Sequence, residues 1–99
     1  MPPKPPPFGR DAAEALALQA VAMIVGDEEL LPRFLAMTGS GVDELRQRVA
    51  EPAFLGAVLD FVLEEDATVA QLAEAAGVGL ETVWLARSKL PGGPVEWSA

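Results

Sequence analysis

The side chains in this sequence whose type and grouping suggest chemistry are carboxylates: Asp27-Glu28-Glu29, Glu64-Glu65-Asp66, and Asp60 within a mostly apolar run. Clustered carboxylates suit a hard cation, yet neither triplet has the alternating oxygen ligands and central glycine of a calcium loop. Both triplets fall where helices are expected to begin or end, and there capping and the helix dipole account for acids without any ligand. No metal site is assigned. A single carboxylate does general acid–base work only beside a base, a nucleophile or a second carboxylate. None is spaced to serve Asp60, which is expected to form a solvated stripe with Gly56 and Glu64 at i, i+4. The chain contains no His, Cys or Tyr, which removes the usual general base, the thiol nucleophile, the commonest metal ligands and the phenolic acid. Its glycines stand as helix caps, not as a phosphate-cradling loop before a lysine. The expectation is a non-enzyme with no catalytic, cofactor-binding or metal residue.

Charge narrows the partners. Seven basic residues face 15 acidic ones, a net of −8. From Asp11 to Glu81 there are 14 acids against Arg33, Arg46 and Arg48, a net of −11, while Lys4, Arg10, Arg87 and Lys89 lie towards the ends. Duplex phosphates and anionic membrane surfaces are repelled by such a body, and basic partners are favoured. Neither the apolar stretch Ala15 to Val25 nor Phe54 to Leu63 approaches the ~20 residues that span a bilayer. A soluble protein is expected, with the cytoplasm as its default location because no signal-like n-region and cleavage site are seen.

The elements that must position these residues read as helices. At 99 residues and 51% hydrophobic, the chain suits one globular domain that buries roughly 60–70% of its unfolded surface without staples. Residues 1–10 read as a disordered proline-rich arm, whose P-x-x-P spacings, Pro2 with Pro5 and Pro3 with Pro6, are common by chance. Asp11 and Glu14 have the spacing of a capping box, and Leu16, Ala17, Ala20, Val21 and Ile24 repeat at helical spacing until Gly26. Gly26-Asp27 is expected to supply a left-handed stop and a new N-cap, with a second helix to Thr38 that starts either directly or at Pro32. Gly39-Ser40-Gly41 breaks it. Asp43 to Val49 forms a short helix with Leu45 and Val49 inward, and Pro52 to Leu63 forms a core helix apolar around most of its circumference. Val69, Leu72, Ala73 and Ala76 mark a fifth helix, and Leu80, Val83, Ala86 and Leu90 a sixth. The absence of alternating runs argues against strands. The fold expected is all-α, a compact bundle of five or six short helices over residues 11–91, with a loose tail over 92–99.

The stretch from Thr68 to Val83 resembles the helix-turn-helix of bacterial DNA-binding regulators. Ala73 is the small residue at a close helix crossing, Gly77 the left-handed turn residue, and Val78 and Val83 the apolar plugs after it. The chemistry of DNA reading is missing. The positions that would meet bases and phosphates are Gly79, Leu80, Glu81, Thr82, Trp84, Leu85 and Ser88, with no Arg, Lys, Gln or Asn among them, and Arg87 and Lys89 lie beyond. Adjacent Trp84 and Leu85 cannot both face inward, so one of them is expected on the surface. That apolar spot either meets a protein partner or is covered by Val95 and Trp97.

From Phe8 to about Gly93 the chain is also similar to a domain-of-unknown-function family of short all-helical proteins from alphaproteobacteria. The similarity is carried by Glu14 to Ala20, by Arg33-Phe34-Leu35-Ala36, by Pro52-Ala53-Phe54-Leu55 running to Leu63, and by Leu90-Pro91-Gly92-Gly93. It implies an all-helical fold and a bacterial cytosolic origin, and brings no activity or ligand. The functional expectation is a non-catalytic protein-interaction module, with Leu80, Trp84 and Leu85 as candidate partner-binding residues for a basic or apolar surface. The alternatives are a helix-turn-helix DNA-binding regulator and an acidic mimic of nucleic acid.

Overall fold

A computed structural model of the chain describes residues 8–92. Six helices succeed one another: α1 (Arg10–Val25), α2 (Leu30–Thr38), α3 (Val42–Arg48), α4 (Pro52–Leu63), α5 (Asp66–Ala76) and α6 (Leu80–Ser88). No strand occurs among the described residues, and the fold is all-α. The proline-rich arm and the tail that carries Val95 and Trp97 lie outside the described residues.

Helix α4 occupies the middle because it has little polar surface to show to water. Phe54, Leu55, Val58, Leu59, Phe61 and Val62 are all buried. Helix α1 lies against both α4 and α6, and its buried side consists of Ala13, Leu16, Ala17, Ala20 and Ile24, the three alanines fully buried. Phe34 of α2 meets Phe54 and Phe61 edge to face, with centroids 5.8 and 5.2 Å away, the geometry that ring quadrupoles favour. Arg48 lies over the Phe54 ring at 4.4 Å, and donates to the hydroxyl of buried Ser40 at 2.6 Å. That contact ties the end of α3 to the aromatic cluster.

Several local expectations are corrected. Asp11 and Glu14 do not form a capping box: the N-cap of α1 is Gly9, two residues before Asp11, and the helix starts at Arg10. Glu14 pairs instead with Arg10 at 3.3 Å. Gly26 is right-handed, φ −83°, because its N–H continues the helical ladder to Ala22. Asp27 is not the N-cap of α2, which is Glu29; it closes the turn before the helix, its Oδ1 accepting from the N–H groups of Glu29 at 2.8 Å and Leu30 at 3.0 Å. Helix α2 thus starts at Leu30 and leaves Pro32 in its first turn, where a missing N–H costs nothing. Helix α3 runs one residue earlier than expected, with Glu44 reaching back to the Gly41 N–H at 2.9 Å.

Candidate interaction surface and the buried arginine behind it

Helices α5 and α6 are joined by Gly77-Val78-Gly79. Gly77 has φ +71°, the left-handed conformation that ends α5 and lets the Val78 N–H reach back to the Ala73 carbonyl at 3.0 Å. Ala73 and Val83 are buried and Val78 packs partly against the core. The four residues that define this turn in the sequence are therefore brought together.

Their placement fixes which side of α6 faces out. Val83, Ala86 and Arg87 are buried. At about 100° per residue, Trp84, Ser88, Glu81 and Leu85 fall on one arc turned away from them, and Leu80, in the first turn, lies nearer the angle of Arg87. Leu80, Trp84 and Leu85 are 54%, 58% and 42% exposed. The sequence requires only one of Trp84 and Leu85 on the surface; both are there, and Leu80, which shares the periodicity of the inward set, joins them. Covering by Val95 and Trp97 lies outside the described residues.

Two expectations about charge are overturned at the back of the same helix. Arg87, which the sequence places among the cations near a DNA-reading surface, has a side chain only 6% exposed. Its Nε donates to Asp60 Oδ1 at 2.6 Å and its Nη2 to Oδ2 at 3.1 Å, a two-point contact, while Nη1 donates to the Leu90 and Pro91 carbonyls at 3.1 and 3.2 Å. The guanidinium joins α4 to the turn after α6 and has no free face for a phosphate. Nor is Gly56-Asp60-Glu64 a solvated stripe: Asp60 and Glu64 are exposed, but Gly56 is buried beneath Arg87. A Cβ on Gly56 would stand 2.6 Å from the Pro91 carbonyl oxygen and 2.9 Å from Arg87 Nη1, so the glycine makes room for the arginine. Helical spacing sets Arg87 four residues after Val83, but nothing local separates a buried guanidinium there from one that reaches solvent.

The two acidic triplets, separate in the chain, meet in part. Asp27, Glu29, Arg33, Glu65, Thr68 and Gln71 line a cleft of about 310 Å³. Arg33 bridges to Glu65 at 3.0 Å. The N–H groups of Leu30 and Glu29 hold the Asp27 carboxyl below the usual carboxylate range. Among the described residues no three His, Cys, Asp or Glu side chains gather to hold a metal ion. A second depression, apolar and about 280 Å³, lies between α1 and α3, lined by Val21, Val25, Val42, Leu45, Arg46 and Val49.

The match to known families decides the kinship. The chain belongs to the family Protein of unknown function (DUF3572), which covers residues 10–93. No curated protein and no solved structure matches it. The span of the DUF3572 match takes in all six helices, the Arg87 contact and the exposed face of α6. No helix of this DUF3572 chain is long and apolar enough, among the described residues, to cross a membrane.

Proposed function

We propose that the chain is a non-catalytic, acidic helical interaction module of the cytoplasm that binds a protein partner through the outward face of α6. The observation that carries this reading is that three large apolar side chains of α6, Leu80, Trp84 and Leu85, are all exposed, the first two at i, i+4 spacing. An exposed tryptophan between two leucines costs solvation in the free protein. At an interface it supplies a large contact area at little cost in side-chain entropy, which is why tryptophan is frequent at binding hot spots.

The left-handed Gly77 turn with Ala73, Val78 and Val83 around it favours a second reading, a helix-turn-helix that binds duplex DNA. Charge weighs against it. The outward face of α6 offers Glu81 and no cation, and Arg87 is engaged by Asp60. A module that occupies a DNA-binding site on its partner by imitating phosphate charge would share the acidic surface but has no use for Trp84.

The test uses the full chain and its Trp84→Ala variant as paired baits in extract of the source organism, with each retained protein then purified and titrated directly. The expected outcome is a direct partner whose affinity falls by at least tenfold in Trp84→Ala at unchanged helicity. Retention that is identical for the two baits, or a salt-sensitive shift of duplex DNA at moderate ionic strength, would refute the interface.

A further inference from the structure

The burial of Arg87 has a consequence for what the α6 face can hold. Within residues 66–92 the acids are Asp66, Glu74 and Glu81, all exposed, and the bases are Arg87 and Lys89. Were Arg87 on the surface, the α5–α6 pair would come close to balance. With its guanidinium enclosed by Asp60 and two carbonyls, the exposed charge of this pair is three carboxylates and Lys89, which lies past the end of α6. The outward arc that carries Trp84 and Leu85 thus holds one carboxylate, Glu81, and no cation.

We infer that the occupant of this face is a cationic amphipathic helix, with aliphatic residues at i, i+3 or i+4 spacing against Trp84 and lysine or arginine at its flanks. This rests on the interface reading above and narrows it to a partner class. The physical grounds are complementarity of both kinds. The apolar stripe of such a helix would cover the exposed apolar side chains, and its flanking cations would meet Glu81 and the acidic surface of the chain, whose charge no exposed cation within α6 offsets. A second copy of the chain is a poor occupant, because it would bring the same carboxylates together across a two-fold axis. Duplex DNA is poorer still, because phosphates would face Glu81 and find no cation on that arc.

The experiment is a fluorescence-anisotropy titration of the full chain against two designed 18-residue helical peptides that share one leucine stripe, the first with lysine on its polar face and the second with glutamate. The lysine peptide should bind saturably, and the glutamate peptide at least tenfold more weakly. Trp84→Ala should weaken the lysine peptide at least tenfold. Glu81→Gln should weaken it severalfold and flatten its salt dependence, and Val25→Ser beside the α1–α3 depression should leave it unchanged. Circular dichroism confirms that each variant is folded. If the two peptides bind equally and Trp84→Ala weakens both, the face remains an interface and the cationic partner class is wrong. If Trp84→Ala changes neither, or Val25→Ser has the larger effect, the interface reading falls with it. If sedimentation shows a dimer that Trp84→Ala dissociates, the occupant is a second copy. If Val95→Ala with Trp97→Ala in the full chain raises peptide affinity tenfold, the occupant is the chain's own terminus; either result overturns the proposal.

Discussion

Removing the Asp60 carboxylate should destabilise the fold far more than an exposed acid on a helix ordinarily could. The side chain of Asp60 is 55% exposed and that of Arg87 only 6%, so Asp60→Ala returns nothing to water and leaves a buried guanidinium with two of its donors unpaired. Hydrogen bonds to charged groups contribute ~1.5–3 kcal/mol each, and breaking a fully buried pair by deleting one partner costs ~3–5 kcal/mol. Solvent at Asp60 screens part of that, and alanine gains ~0.5 kcal/mol in helix propensity. The net expectation is a loss of ~2–3 kcal/mol, which for a domain of this size lowers the thermal midpoint by ~10–20 °C. Arg87→Met in the Asp60→Ala background should recover part of the loss, because an unbranched apolar side chain fills the same channel without a charge to desolvate. Urea unfolding followed by circular dichroism at pH 7 measures both single variants and the double variant against the parent. A loss below ~0.5 kcal/mol in Asp60→Ala, or a double variant worse than the sum of its singles, would refute the view that Asp60 compensates the buried arginine.

Gly56→Ala should cost ~1–3 kcal/mol despite the ~1 kcal/mol that alanine gains over glycine in a helix, since the added methyl meets the Pro91 carbonyl at 2.6 Å; calorimetry of the variant checks this. Gly77→Ala should cost ~1–2 kcal/mol from backbone strain alone, because Gly77 sits at φ +71° with no atom within 4 Å of an added Cβ; equilibrium unfolding reads it. Trp84→Ala should move stability by no more than ~0.5 kcal/mol, as expected of a side chain that is 58% exposed; a large fall in the thermal midpoint would make Trp84 a packing residue. Asp27, whose carboxyl is held below its ordinary range by the Leu30 and Glu29 N–H groups, contributes stability that is complete above an unfolded value near ~3.9 and lost as pH falls through the lower folded value. Asp27→Asn keeps the turn-closing acceptor but not the charge, so its deficit against the parent should be present at neutral pH and close at acid pH, and a gap independent of pH in urea titrations would contradict this.

Most of the helical segmentation could be read from the chain because its signals are local. Pro52 opens α4, Gly39 and Gly77 end α2 and α5 at positive φ, and apolar residues recur at helical spacing through α1, α5 and α6; each depends on sterics within a few residues. Where two local signals competed the sequence could not choose between them: Glu14 could complete a capping box with Asp11 or pair with Arg10, and the second is what forms. The outward placement of Trp84 and Leu85 is fixed once Val83, Ala86 and Arg87 are known to be inward, and the first two of those were legible from periodicity. The third was not. Arg87 and Asp60 are 27 residues apart, and the burial of a guanidinium depends on whether a carboxylate, two carbonyls and a side chain small enough to admit it converge at one point, which no local propensity encodes. Composition alone determined that the chain is helical, acidic and without His, Cys or Tyr. Only the packing of α4 against α6, with Gly56 vacant at Cβ, decided that Arg87 is enclosed and that the outward arc of α6 holds Glu81 and no cation, because the cost of burying a charge is set by all its neighbours together and those neighbours come from distant parts of the chain.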